Sequence, residues 1–393
     1  MTAPLLLCPN VGAEEGGARN DRRAEPWVRA VAGLWRRLFA AGTGWLEGSG
    51  IPAEVGAAEE ERAVFACLEA DAALTAWLNT ESALERADAA GRRLTGAPPA
   101  VVRRVHDKAF AFEVAREEGL LPADLAATIA VFDPDGFRDP DAGVAAIARV
   151  LDGWPPWARE RFTLKPRFGS SGRGRAAGRD GCADEPALRR ALPRLAECGG
   201  ALLEPWLDRS EDLSASLWLD EGGALHLLGT SEQVLAPSGL YRGQRGTVDS
   251  KGRVTSGSER DEDLRAAAVA VAGHAAREGF FGPCGLDAFA YRAPSGAAAF
   301  RPVVEWNARF TLGTVAIGLV KRARAEIRSV FAPGPEQRLA FEFALDAPAG
   351  GWPESDSSLR VLRYAERDAA VQPALAIAID RATLAARLGP NFG

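Results

Sequence analysis

The spacing of apolar and polar positions divides the chain into helical and strand-like stretches. Pro4 to Cys8 is a short apolar run that predicts a buried first strand, followed by a Gly-rich acidic loop from Val11 to Gly17. Trp27, Val28, Val31, Leu34, Trp35, Leu38 and Phe39 recur at helical spacing and predict an amphipathic helix over Trp27 to Ala41, packed on a sheet. Ala63 to Leu68 and Leu74 to Leu78 read as two more strands, which makes the first hundred residues a small open α/β unit ended by Gly96-Ala97-Pro98-Pro99. Asp107 then has the place of an N-cap for a helix over Lys108 to Glu118, with Gly119 just past its end and Pro122 beyond. A helix is expected over Val144 to Leu151, an Ala-rich one over Leu264 to Glu278, and another over Thr314 to Val330. Leu286 to Tyr291, Val303 to Asn307, Leu339 to Leu345 and Leu359 to Tyr364 read as strands ahead of a final helix.

Composition narrows the function classes. The 393 residues are 47% hydrophobic and 25% charged, the profile of an ordinary globular protein of two or three domains. No stretch approaches the roughly 18 apolar residues of a membrane span. A formal net charge of −6 argues against a general affinity for nucleic acid or an anionic membrane. The cysteines Cys8, Cys67, Cys182, Cys198 and Cys284 are scattered without zinc spacing, as expected of reduced thiols in cytoplasm. Positive charge is carried almost wholly by Arg: the lysines are Lys108, Lys165, Lys251 and Lys321. Lys offers a compact point charge where Arg offers a flat fork, so these four positions draw the eye.

One of them, Lys165, ends a short apolar run and opens Pro166-Arg167-Phe168-Gly169-Ser170-Ser171-Gly172-Arg173-Gly174. No acid occurs from Arg161 to Arg179. Glycine lets backbone N–H groups approach a ligand closely, and a nearby point charge completes a polyphosphate cradle. A flexible basic surface loop is the competing reading. The Walker spacing is absent, and no apolar helix follows Gly172-x-Gly174-x-x-Ala177 to make a dinucleotide fingerprint. About forty residues on, Leu202-Leu203-Glu204-Pro205-Trp206-Leu207 is an apolar strand ending in an acid and a Pro-stiffened linker. Such a linker can offer backbone groups to an adenine edge, with Glu211 or Asp212 downstream for ribose hydroxyls; a strand end with a solvated acid is the plainer alternative.

A third segment joins two predicted strands through a turn at Pro294-Ser295-Gly296. A hairpin centred on Gly296 sets Asp287 opposite Glu305, with Asn307 on the same face because strand side chains alternate. Two carboxylates and an amide oxygen suit Mg²⁺, a hard ion that shares its shell with phosphate. A one-residue slip would undo the arrangement. A polar strand face in solvent is the alternative, and it is weakened by Val303, Val304 and Phe310, which suggest a buried strand.

In order and rough spacing, His106-Asp107-Lys108, Lys165 before its Gly/Ser loop, Glu204 at a strand end and Asp287…Glu305-x-Asn307-x-Arg309 resemble the ATP-grasp superfamily over about residues 100 to 320. Glu-x-Asn-x-Arg is the most specific part. The resemblance implies an α/β chain whose α+β ATP-grasp fold follows a small open α/β domain. The expected boundaries are 1–105 for that domain, 106–205 and 206–330 for the two ATP-grasp halves, and 331–393 for an extension packed on the core. It implies an ADP-forming carboxylate–amine ligase acting on small-molecule acids and amines through an acylphosphate, with ATP and Mg²⁺ and without nucleic acid or membrane partners. Dimers are common among such ligases, so a homodimer is the compatible assembly. Alternatives are a phosphotransferase of the same fold and a nucleotide-binding regulatory protein without turnover. Position by position, Lys108 and Lys165 would meet the phosphates and Gly169, Ser170, Ser171 and Gly172 would belong to a lid. Glu204 with Pro205, Trp206 and Leu207 would face adenine, and Asp212, ahead of Glu211, the ribose. Asp287, Glu305 and Asn307 would bind magnesium, and Arg309 would hold the transferred phosphoryl. Gly285 stands where related ligases often carry a base, so Arg301 is a candidate stabiliser of the oxyanion, and Tyr241, Arg242 and Arg245 are candidates for a substrate carboxylate.

Overall fold

The computed structural model describes residues 5–13, 26–40, 43–49, 51, 64–65, 73–169, 174–183, 186–236, 239–348, 350–366 and 368–389. The first domain is a parallel sheet of β1 (Leu6–Cys8), β2 (Gly44–Trp45), β3 (Ala73–Ala76) and β4 (Arg93–Leu94), ordered β2-β1-β3-β4. Its helix α1 (Pro26–Arg36) is the first of the expected helices, shorter than its apolar stripe because the chain turns at Arg37 and Leu38. Leu34, Trp35, Leu38 and Phe39 are buried in a core shared with the rest of the molecule. The strand expected over 63–68 lies largely outside the described residues; Val64 and Phe65 form a turn whose Val64 N–H donates to Leu38 O at 2.9 Å. Helices α2 (Glu81–Ala89) and α3 (Pro99–His106) follow. α4 (Lys108–Glu117) begins as its sequence signals, with the Asp107 carboxylate accepting from the Ala109 N–H at 2.9 Å, and Gly119 takes a φ of +66° after its end.

A small antiparallel sheet comes next. It is ordered β5-β8-β6-β7, from β5 (Ala130–Phe132), β6 (Arg161–Pro166), β7 (Ala176–Arg179) and β8 (Ala201–Pro205). Helices α5 (Pro140–Asp152), α6 (Pro156–Glu160) and α7 (Pro186–Glu197) accompany it, and Ile147, Leu151, Phe162, Leu164, Leu188 and Leu192 form its core. Gly200 has a φ of +96°, and a Cβ there would strike the Phe132 carbonyl, so only glycine lets β8 turn in beside β5.

The large sheet has nine strands. β9 (Arg209–Leu219), β10 (Leu225–Leu235), β11 (Tyr241–Asp249), β13 (Gly282–Arg292) and β14 (Ala298–Asn307) form its first part, with the short β12 (Val254–Thr255) beside β11. β15 (Arg338–Ala344), β16 (Leu359–Arg363) and β17 (Ala374–Ala378) extend the same sheet, giving the order β14-β13-β9-β10-β11-β15-β17-β16. The helices here are α8 (Asp261–Arg277), α9 (Leu312–Arg322), α10 (Arg324–Phe331) and α11 (Arg381–Leu388). The stretch expected as one helix over Thr314 to Val330 is thus two: α9 ends at Ala323 after Lys321 and Arg322, cations that suit a helix C-terminus. The first domain is fastened to this sheet, because Phe310 N–H donates to Trp77 O at 3.1 Å and the Phe310 ring lies 5.1 Å from Trp35. No described helix is long and apolar enough to cross a membrane.

Candidate active site

The cleft between the two antiparallel sheets collects side chains that the sequence holds far apart. Lys108, Lys165, Gly169, Asp212, Asp287, Glu305, Asn307 and Arg309 all line it. Lys108 is delivered by the start of α4, where its Nζ donates to Gly169 O at 2.9 Å and lies 3.2 Å from Glu305 Oε1. The capping residue Asp107 serves twice: its carboxylate also receives the Arg167 guanidinium at 2.6 Å, so the start of α4 and the loop after β6 are tied together.

Lys165, near the end of β6, forms an ion pair with Glu204 on neighbouring β8, and the other Glu204 oxygen accepts from Arg301 on β14 at 2.9 Å. Glu204 and Arg301 are each only 3% exposed, so this acid bridges the two sheets with a cation on either side. Burial works to raise the Glu204 carboxyl, but the Lys165 and Arg301 charges and hydrogen bonds outweigh it and hold it at about 2. Burial likewise lowers Lys165 to about 8, with Glu204 opposing and Arg209 and Arg301 adding repulsion. Lys165→Ala keeps the Glu204–Arg301 pair and removes one point charge from the cleft. Nucleotide affinity is therefore expected to fall about 10- to 100-fold, the worth of a charged hydrogen bond. In the native protein it should also fall as pH rises past 8, where free Lys165 loses its proton, and calorimetric titration of both proteins across that range should show the pH step only in the native chain.

Around this point the cleft is rich in arginine. Arg209 pairs with Asp212 at 2.7 Å and stacks 4.4 Å over the Phe289 ring, while Arg175 lies 4.3 Å over Trp206. Strand alternation separates the two acids of β9: Asp212 lines the cleft, whereas Glu211 accepts from the Ser258 hydroxyl at 2.6 Å.

Asp287 and Glu305 are Cα partners across β13 and β14, and Gly285 pairs with Asn307. The hairpin is centred on Ser295, one residue before Gly296, since Arg292 pairs with Ala298. A bulge restores the facing acids: Ala288 alone stands between Asp287 and Phe289, while Pro302, Val303 and Val304 stand between Arg301 and Glu305. Pro302 fits here, having no N–H for the ladder. Gln233 donates to Asp287 Oδ1 at 2.6 Å and Asn307 Nδ2 donates to Oδ2 at 3.0 Å, which turns the Asn307 oxygen away from Asp287. Burial, and then the facing Glu305 carboxylate, push Asp287 up to about 7. This set of hard oxygen donors, two of them mutually repelling acids, fits a small dication. Arg309 follows, 9% exposed, with its guanidinium donating to Phe310 O at 2.9 Å. Thr311 then caps α9, whose first residues Leu312 and Gly313 also line the cleft.

The remaining expectations find varied places. Ser170, Ser171 and Gly172 lie outside the described residues. Glu204, Pro205, Trp206, Leu207 and Arg301 are not among the cleft-lining residues; the Glu204 carboxylate that was expected toward adenine is taken up by Lys165 and Arg301, and the Trp206 N–H by Arg161 O at 2.7 Å. Arg301 was expected on the Glu305 face, and the register keeps it there, since it pairs with Phe289, two residues from Asp287, and the two-residue bulge preserves the alternation; its guanidinium is held by Glu204, with Nε donating to Val303 O at 3.2 Å. Tyr241 lines the cleft, Arg242 is exposed, and Arg245 pairs with Glu232 at 2.5 Å. Sequence reasoning missed Gln233 and Gln244, directly paired on β10 and β11, and the wall of Val11, Trp27, Val31 and Trp77 contributed by the first domain.

No protein-family model and no curated protein matches the sequence. Solved structures do match. The biotin carboxylase domain of the Hydrogenobacter thermophilus 2-oxoglutarate carboxylase, a dimer in complex with MgADP, ADP and bicarbonate, aligns with a TM-score of 0.55 at 14% identity over 96% of this chain and 86% of that one. Campylobacter jejuni biotin carboxylase, in a β,γ-ATP complex, gives 0.55 and 14% over 97% and 89%. The N5-carboxyaminoimidazole synthase of Aspergillus clavatus, in complex with ADP and 5-aminoimidazole ribonucleotide, gives 0.52 and 14% over 99% and 97%. All three are ATP-grasp structures, and the likeness runs through the first domain, the small sheet and the large sheet alike: the chain has the ATP-grasp fold with a small open α/β domain in front.

Proposed function

We propose that the chain is an ATP-dependent, ADP-forming ligase that joins a carboxylic acid to an amine. The observation that carries this reading is the convergence, in one cleft, of Lys108 and Lys165 with the Asp287, Glu305 and Asn307 oxygens and with Arg309. Lys108 and Lys165 hold the phosphates, and Asp212 with Arg209 flanks the nucleoside. Asp287, Glu305 and Asn307 would hold Mg²⁺, which when bound neutralises charge on the phosphates. Phosphoryl transfer needs alignment and charge neutralisation more than covalent help, and these residues supply both. The acid's carboxylate oxygen attacks the γ-phosphorus and ADP leaves; the amine nitrogen then attacks the acyl carbon, phosphate leaves, and the nitrogen loses a proton. Arg309 faces the phosphoryl group in transit, and Arg301 acts at one remove by fixing Glu204 and, through it, Lys165.

The test is ADP release from MgATP, with and without pooled amino acids, small peptides and carboxylic acids, with mass spectrometry of the products. Acid-dependent ADP with a condensation product is expected. A stable phosphorylated product would overturn the ligase reading in favour of a phosphotransferase.

A further inference from the structure

Glu305, Asn307 and Arg309 occupy alternate positions at the point where β14 runs out of partners. The last pair of the β13–β14 ladder is Gly285 with Asn307. Ala308, Arg309 and Phe310 lie past the strand, so their backbone N–H groups need acceptors from elsewhere. The Phe310 N–H donates to Trp77 O at 3.1 Å. The Ala308 N–H meets a side chain: it donates to His106 Nδ1 at 3.2 Å, across 202 residues of sequence. His106 and Ala308 are both buried, so bulk water offers no substitute for that acceptor. His106 is also the last residue of α3, and Lys108, two residues on, begins α4. The Lys108 N–H donates to Arg167 O at 3.4 Å and its Nζ lies 3.2 Å from Glu305. One ring thus joins the helix junction that delivers Lys108 to the strand end that delivers Asn307 and Arg309. An accepting Nδ1 requires the neutral ring with its proton on Nε2. Burial, and then the charges of Arg309 and Lys108, hold the imidazole well below its ordinary range, which favours that form.

We infer that His106 is a positioning residue: through the Ala308 N–H it fixes Asn307 and Arg309 against Lys108 and so sets the geometry of the metal and phosphoryl end of the cleft. The part that concerns the transferred phosphoryl rests on the ligase reading, whereas the part that concerns metal and nucleotide needs only that the cleft binds MgATP. A displacement of about 1 Å at a reacting group costs on the order of 100-fold in rate, so one hydrogen bond at this joint has an effect out of proportion to its strength. Groups that orient metal ligands from behind act in the same way on metal affinity.

Three full-length variants test this. His106→Leu removes the acceptor and keeps an apolar body, whereas His106→Asn returns an oxygen to nearly the place of Nδ1, since each atom is bonded to Cγ. Val114→Ala, at a core position of α4, loses packing alone and controls for stability. Each is compared with the native chain, well below its unfolding midpoint, by calorimetric titration of a non-hydrolysable ATP analogue at a series of Mg²⁺ concentrations and by ADP release from MgATP with pooled acids and amines. His106→Leu is expected to raise the Mg²⁺ needed for half-maximal analogue binding about tenfold and to lower kcat about 10- to 100-fold, and His106→Asn to recover both to within about threefold of native. Val114→Ala should lower the unfolding midpoint with both quantities near native. If His106→Leu fails to fold, His106→Gln, whose polar end lies one bond farther out, takes its place with the same expected losses. A native Mg²⁺ requirement and native kcat in His106→Leu would overturn the inference and leave the ligase reading standing, as would losses in His106→Asn equal to those in His106→Leu. A Mg²⁺ requirement raised by Leu and restored by Asn, with no acid-dependent ADP from the native chain, would uphold the positioning role and overturn the ligase reading.

Discussion

Glu305→Gln is expected to lower turnover about 100- to 1,000-fold while the chain remains folded, the scale of removing one preorganised charge from a transition state. Glu305 is the acid that both faces Asp287 across the hairpin and receives Lys108 at 3.2 Å, so the change removes a ligand charge and frees a phosphate-binding lysine at once. At 19% exposure it sits at the cleft surface and outside the core, which is why thermal stability should hardly move. The check is a Mg²⁺ titration of ADP release: the variant should need more metal and still saturate at a lower rate. Native turnover at limiting Mg²⁺ would remove Glu305 from the site.

Arg301→Leu should act on stability first. Its guanidinium is the partner of Glu204, both being 3% exposed, and stripping one member from a buried ion pair costs about 3–5 kcal/mol because the remaining charge stays out of water. Glu204 keeps Lys165, so the lower part of that range applies, and the unfolding midpoint in urea should drop accordingly. The sign of the pH dependence follows from Glu204, whose carboxyl is held near 2 in the folded chain. Its stabilisation is complete above the ordinary glutamate range and is lost as pH falls toward 2, so the gap between native and variant should narrow under acid. Adding Glu204→Leu should recover part of the loss, since removing both charges leaves nothing unpaired. A direct oxyanion role for Arg301 would instead show as lost turnover at unchanged stability.

The sequence carried the order of the segments and most of the elements around them, because each has a local signal: the Asp107 cap, the glycine after β6, the alternation in β13 and β14. The facing of Asp287 and Glu305 was legible only through two departures that cancel, a turn centred one residue early and two extra residues in β14. The fate of Glu204 was not legible, since a strand ending in an acid says nothing of an arginine 97 residues away. Four helices, α2, α3, α6 and α7, went unread, two of them for evident local reasons: α7 carries Pro193 in its interior, and α3 follows a Pro-Pro pair that read as a boundary. The helical spacing of Trp27 and Val31 foretold burial, but burial in a core and burial against a cleft leave the same pattern.

The bulge in β14 has a consequence for how this hairpin can vary. Because a strand repeats every two residues, inserting two leaves Glu305 and Asn307 on the face of Asp287, and inserting one would turn both toward the opposite side. Length at the turn over 294–296, beyond the Ala293–Ala297 backbone pair, is free to change by any number, but length between Arg301 and Glu305 is constrained by parity. Functional variants of this segment should therefore differ there by even steps, however freely the neighbouring turn grows or shrinks.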